Sequence, residues 1–195
     1  MSRELLDKRS DLQSLADTVE SSRPDISRLC GILHTQGMIK LTETGLVRIT
    51  EKGRQQIRVV FTGGTFDIIH PGHIHTLKSS RELGDLLVVS IARDTTVAKN
   101  KGHSPTNNEK ERVKMISAIR YVDAALLGSE DDIFEILKRV KPQIITLGYD
   151  QKHDQNVITK ELAKRGLTSQ IVRLDSPLPD IKSSKLLKAR KRITD

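Results

Sequence analysis

Two histidines, His70 and His73, flank Pro71-Gly72 at the end of the segment Gly63-Gly64-Thr65-Phe66-Asp67-Ile68-Ile69-His70-Pro71-Gly72-His73. At the start of a helix this spacing can aim both imidazoles at one spot, where their ring N–H groups can donate to phosphoryl oxygens. Gly63 and Gly64 let a backbone come close to a phosphate. A loop that opens onto a helix N-terminus adds backbone N–H groups and the positive end of a dipole, and Pro71 suits a first helical turn. One histidine alone would more simply satisfy a loop or a cap; glycines, a threonine, an aspartate and two histidines together point to a phosphate cradle. Asp67 is the nearest carboxylate, and three readings of it stay open: part of a cation shell, a partner that orients a histidine, or a hydrogen-bonded loop residue.

The elements that must hold this segment are legible around it. From Ile57 onward short apolar runs alternate with helical patterns. Strands are expected at Val59 to Thr62, Leu86 to Ala92, Ala124 to Leu127, Ile144 to Leu147 and Gln170 to Leu174. Their lack of polar alternation is that of strands covered on both faces. Helices are expected from Pro71 to Leu83, Asn108 to Arg120, Asp132 to Val140 and Asn156 to Lys164. This βαβ alternation implies an α/β domain, a doubly wound parallel sheet over residues 57–195, with ligands gathering at the carboxyl ends of the strands. There is no internal repeat and no low-complexity stretch.

Residues 1–56 follow a different pattern. Leu12, Leu15, Ala16 and Val19 fall on one helical face. Ser22 is a candidate cap before Pro24, and Ile26, Leu29, Cys30 and Leu33 repeat the pattern, which puts Cys30 on a buried face as an inert small hydrophobe. Two strand-like pieces, Met38 to Leu41 and Leu46 to Thr50, then form a hairpin. The order resembles winged helix-turn-helix domains. That resemblance would set Arg23, Ser27, Arg28 and His34 in a DNA major groove; a protein-contact or dimerisation module is the alternative. With nine Lys/Arg against eight Asp/Glu in these residues, strong phosphate-driven DNA binding is disfavoured.

Of 195 residues, 36% are hydrophobic and 30% charged, and no apolar run approaches the length of about 20 residues that spans a bilayer. The N-terminus lacks the apolar core of a secretory signal, so the expected location is the cytoplasm, away from membranes. Cys30 is the only cysteine, which excludes an internal disulfide and a cysteine-based zinc cluster. The net charge of +8 lies mostly downstream, partly in the tail Lys182 to Arg192. A domain that handles phosphorylated small molecules accounts for it as well as nucleic acid would.

Gly64-Thr65-Phe66-Asp67 followed by His70-Pro71-Gly72-His73 resembles the His-x-Gly-His signature of the cytidylyltransferase-like nucleotidyltransferases, over about residues 58–187. The resemblance implies a Rossmann-like fold, with His70 and His73 stabilising the α-phosphate during in-line displacement of pyrophosphate. Mg²⁺ would arrive with the nucleoside triphosphate, held by phosphate oxygens and water and by no dedicated protein metal site. It further implies that Lys99, Lys101 and Arg112 contact phosphates, and that Gly148-Tyr149-Asp150 meets the base and ribose. Asp67 and Asp94 fall beside the acceptor. Ser183 and Ser184 match hydroxyl positions of the family's triphosphate-binding element, although Lys182 replaces its usual first serine. Arg81 stands where many relatives have a lysine, and its planar head changes the hydrogen-bond geometry.

Ala92-Arg93-Asp94-Thr95-Thr96-Val97 and Leu147-Gly148-Tyr149-Asp150-Gln151 resemble archaeal-type FAD synthetases. That implies transfer of AMP from ATP to FMN, giving FAD and pyrophosphate. A CTP-dependent glycerol-3-phosphate cytidylyltransferase is the alternative enzyme. A nucleotide- or flavin-responsive DNA-binding regulator is the alternative of another class, and family relatives are often homodimers. Only 3% aromatic residues leave Tyr149 and Phe66 as the main candidates to pack a flavin ring.

Overall fold

The structure is a computed structural model, and it describes residues 10–11, 22–44, 46–130, 132–149, 151 and 154–175. The chain divides into two compact units, Met1–Ile57 and Arg58–Asp195. In the first, strand β1 (Ser10–Asp11) precedes helix α1 (Arg23–Thr35), strands β2 (Ile39–Leu41) and β3 (Leu46–Ile49), and a short helix α2 (Glu51–Gln55). Ser22 caps α1 as its sequence suggests, its side chain accepting from Asp25 N at 3.3 Å. Ile26 and Cys30 are buried against Ile39, Leu41 and Val47. The hairpin pairs Ile39 with Ile49 and Leu41 with Val47, and β1 adds an unexpected third strand along β3. The expected first helix around Leu12, Leu15, Ala16 and Val19 lies outside the described residues.

The second unit is a five-stranded parallel sheet ordered β6-β5-β4-β7-β8. Its strands are β4 (Val59–Gly64), β5 (Leu86–Ile91), β6 (Ala124–Leu127), β7 (Ile144–Leu147) and β8 (Gln170–Arg173). Connecting them are α3 (Pro71–Arg81), α4 (Asp94–Lys101), α5 (Glu109–Ser117), α6 (Glu135–Val140) and α7 (Gln155–Lys164). The first strand of the unit sits in the middle and the chain winds outward on both sides, which creates a switch point between β4 and β7. Val60, Val89, Ile91, Leu77 and Ile116 are among the residues of its core.

Two features position α3. Ser80 Oγ lies 2.8 Å from Thr146 Oγ1, and Thr62 Oγ1 donates to Thr146 O at 3.2 Å, so a buried hydroxyl chain ties the helix to β4 and β7. At its C-terminal end Arg81 pairs with Asp123 at 3.0 Å and donates to Gly84 O at 2.6 Å. Arg81 therefore fastens α3 to the start of the next strand, away from the end that carries the histidines. Helix α4 is not foreseen from the sequence, because Val97 is its one buried residue and it has no apolar stripe.

Candidate active site

Strand β4 ends in Gly63-Gly64 and α3 begins at Pro71, with His70 as the N-cap. The His70 imidazole makes no capping bond; it stacks on His73 with ring centroids 3.8 Å apart and planes 27° apart. Nδ1 of each ring is shut off from solvent, while both side chains stay partly exposed. The His73 N–H and the Ile74 N–H both return to His70 O, at 2.9 and 3.3 Å, which tightens the first turn and draws the two rings together. Among the helices of the described residues, α3 alone has no acidic residue at its N-cap or in its first turn. The positive end of its dipole is thus left for an anion from elsewhere.

The loop between β4 and α3 is built around Phe66, which holds a left-handed φ of 51° and is buried. Its ring lies over Gly64, where an added Cβ would come within 2.8 Å of it, and meets the His73 ring at a centroid distance of 5.2 Å. Gly64 is required by that packing. At Gly63 an added Cβ would meet only Ser90, no nearer than 3.7 Å, so the protein's own packing does not demand a glycine there. The missing side chain leaves room at the strand end for a ligand.

Asp67 is buried and accepts the Thr106 N–H at 2.9 Å and the Asn107 N–H at 2.8 Å, while Asn107 Nδ2 donates to Asp67 O at 2.7 Å. Burial alone would raise its pKa; the N–H groups of Asn107 and Thr106, with the charge of Arg112, outweigh that and hold the carboxyl below its usual range. Of the three roles open to Asp67, the loop-holding one is what the contacts describe.

Arg112 is fully buried. Its guanidinium donates to Asn107 O at 3.0 Å, Thr65 O at 2.6 Å, Ala92 O at 2.7 Å and Asp94 Oδ1 at 2.7 Å. It gathers the loops after β4 and β5 and the entry to α5, and it faces no open surface. Asp94, half-buried, is held by Arg112 and by the Glu109 N–H. Arg93 joins them by bonding Glu109 at 2.9 Å and Gly128 O at 2.9 Å. Lys99 and Lys101 sit exposed in the last turn of α4.

Across the switch point, Gly148 is buried and Tyr149 half-buried just after β7. Gln151 donates through Nε2 to Gly63 O at 2.8 Å, and Arg173 donates to Gly148 O and Gln151 O at 3.1 and 2.7 Å. Asp150, Ser183 and Ser184 lie outside the described residues. Asn107, Glu109, Gln151 and Arg173 shape the site without being singled out by the sequence. Only Glu109 has a readable signal, its place in the first turn of a helix opened by the Asn108–Glu111 capping box.

Residues 61–189 match the cytidylyltransferase-like family. A FAD synthase of Thermoplasma acidophilum is 46% identical over 139 residues, which span 71% of this chain and 95% of that protein. A FAD synthase of Pyrococcus abyssi is 43% identical over 146 residues, 73% of this chain and 96% of the relative. Among solved structures, a lipopolysaccharide core biosynthesis protein from Thermoplasma volcanium is 48% identical with a TM-score of 0.60, over 62% of this chain and 98% of that one. An Archaeoglobus fulgidus protein of unknown function shares the fold at 15% identity and a TM-score of 0.52, over 63% of this chain and 93% of its own. The histidine pair at the head of α3, the parallel sheet that carries it and nearly complete coverage of these relatives make one statement: the chain belongs to the cytidylyltransferase-like family.

Proposed function

We propose that this chain is an FMN adenylyltransferase that uses ATP to convert FMN into FAD, releasing pyrophosphate. The observation that carries the chemistry is the stacked His70–His73 pair at an acid-free helix N-terminus beside Gly63. The choice of acceptor is supported by the relatives named FAD synthase.

In the reaction an oxygen of the FMN phosphate forms a bond to the α-phosphorus of ATP, and the bond from that phosphorus to the β-bridging oxygen breaks, with pyrophosphate as the leaving group. A phosphate monoester is already largely ionised near neutral pH, its second pKa being about 6, so the attack needs no dedicated base. What remains for the protein is to align the reactants and to stabilise the charge that builds on the α-phosphoryl oxygens. His70 and His73 are the donors for that charge. Lys99 and Lys101 would receive phosphate oxygens, and Tyr149 would lie against a planar ring.

Arg112 and Asp67 serve as positioning residues for the loops that frame the cradle. Among the described residues there is no group of three or more His, Cys, Asp or Glu side chains able to hold a metal ion. In the proposed reaction Mg²⁺ would enter on the triphosphate, with phosphate oxygens and water as its ligands. No helix of the described residues is long and apolar enough to cross a membrane, and the proposed setting is the cytoplasm.

The deciding experiment offers the purified chain ATP or CTP with FMN, glycerol 3-phosphate and other phosphorylated alcohols, and separates the products by chromatography. FAD and pyrophosphate from ATP and FMN are expected; CDP-glycerol without FAD would overturn the proposal.

A further inference from the structure

Strand β4 stays paired with β5 as far as Gly64 opposite Ile91, but on its other side it stays paired with β7 only to Thr62 opposite Thr146. Beyond that rung the two strands part, and the crevice of the switch point opens. At the parting the side chain of Gln151 takes the place of the missing rung. Its Nε2 donates to Gly63 O at 2.8 Å, and its Oε1 accepts the Gly148 N–H at 3.2 Å. The turn that bears Gln151 is closed by its own N–H to Gly148 O at 3.2 Å, and Arg173 from β8 grips Gly148 O and Gln151 O from the far side.

A primary amide presents a donor and an acceptor in one plane, as the backbone does. Gln151 therefore satisfies a carbonyl on one strand end and an N–H on the other, groups that separated strands would otherwise leave unbonded. The same two bonds set the gap between the Gly63 end of the phosphate cradle and the turn that carries Tyr149.

We propose that Gln151 is a positioning residue that sets the fit of the nucleotide, holding the 148–151 turn at the spacing that lets one ATP reach both the cradle and the turn. This rests on the proposed nucleotidyl transfer at the same site. Gln151 acts through Gly63 and Gly148, away from the reacting phosphorus. Its loss should weaken the binding of ground state and transition state alike, raising KM for ATP and leaving kcat in place.

Glutamate at this position is nearly isosteric and gives the test its selectivity. Ionised, it offers Gly63 O an oxygen instead of a donor; protonated, its O–H can donate to Gly63 O while its carbonyl accepts from Gly148 N. The full chain and its Gln151→Glu and Gln151→Ala variants would be compared for ATP dissociation constant with Mg²⁺, for KM and kcat in FAD formation, and for melting temperature, between pH 5.5 and 8 (roughly the range over which a buried carboxyl can titrate). At the alkaline end both variants should bind ATP about tenfold more weakly, the size of one net hydrogen bond, with kcat within about threefold of the parent. Referred to the parent at each pH, affinity should return as pH falls for Gln151→Glu and not for Gln151→Ala. Unchanged affinity in both variants, a fall in kcat with KM constant, or no acid recovery in Gln151→Glu would overturn the proposal. A parent that binds ATP but makes no FAD would sink the FMN assignment alone, and the binding comparison would still decide the role of Gln151.

Discussion

Asp94 and Glu109 cap each other's helices. Glu109 Oε2 accepts the Asp94 N–H at 3.0 Å, and Asp94 Oδ2 accepts the Glu109 N–H at 3.1 Å. The N-termini of α4 and α5 meet head to head, and each positive dipole end is neutralised by the other's carboxylate. Helix α3 has no such carboxylate. In the proposed reaction an incoming polyphosphate is thereby steered to the helix end that carries the histidines.

Replacement of the buried Arg112 by methionine should destabilise the fold by about 3 kcal/mol or more, because three carbonyls and Asp94 lose their donor together. Arg112→Lys should recover only part of this, since one ammonium cannot span Thr65 O, Ala92 O and Asn107 O. Urea unfolding measures both. A lysine variant as stable as the parent would show that the charge matters and the fork does not.

His70→Ala and His73→Ala should each lower kcat by about 10²- to 10³-fold, the usual consequence of removing one donor to transition-state charge. Neither ring is fully buried, so melting temperatures should stay close to the parent's. Steady-state kinetics beside a thermal melt separates the two effects, and turnover at the parent's rate in either variant would remove the histidines from the mechanism.

Asp67 makes part of the stability depend on pH. Its folded pKa lies below its ordinary value, so its contribution is fully present above the unfolded pKa of about 3.9 and is lost as pH falls through the lower folded value. Asp67→Asn keeps an acceptor but loses the charge that the Thr106 and Asn107 N–H groups and Arg112 favour. The variant should be less stable than the parent at pH 7, with the difference narrowing as the medium is acidified from about pH 4 downward. Denaturation at several pH values tests this; a constant difference would show that the loop does not recognise the charge.

The two adjacent glycines should respond differently to alanine. Gly64→Ala places a methyl group 2.8 Å from the Phe66 ring, and should cost about 1–3 kcal/mol through overpacking. It should also lower activity, because that ring packs on His73. Gly63→Ala has room within the protein and should melt like the parent, yet it should raise KM for ATP if phosphate approaches there. Melting temperature and KM measured on the pair test the assignment of Gly63 to the ligand.

How far the sequence discloses this site depends on the range of the forces involved. The strands are legible because runs such as Ile144–Leu147 are buried on both faces and therefore apolar throughout. Helix α5 is legible through its cap at Asn108. Helix α4 is not, since tertiary contacts at Asp94 and Val97 hold it where no apolar periodicity would. A basic residue at position 112 is easy to note, but its direction is invisible: the same side chain could face a phosphate or, as it does, three carbonyls. Gln151 is harder still, because an amide in a polar turn reads as solvated and its partner at Gly63 lies 88 residues away.

That separation governs how the cradle is born. A nascent chain that has delivered both histidines and paired β4 with β5 still lacks the wall formed by β7, which arrives more than eighty residues after β4. Such non-local pairing is entropically late in folding. In the proposed reaction the cradle can therefore grip both ends of ATP only once β7 has docked, near completion of the sheet.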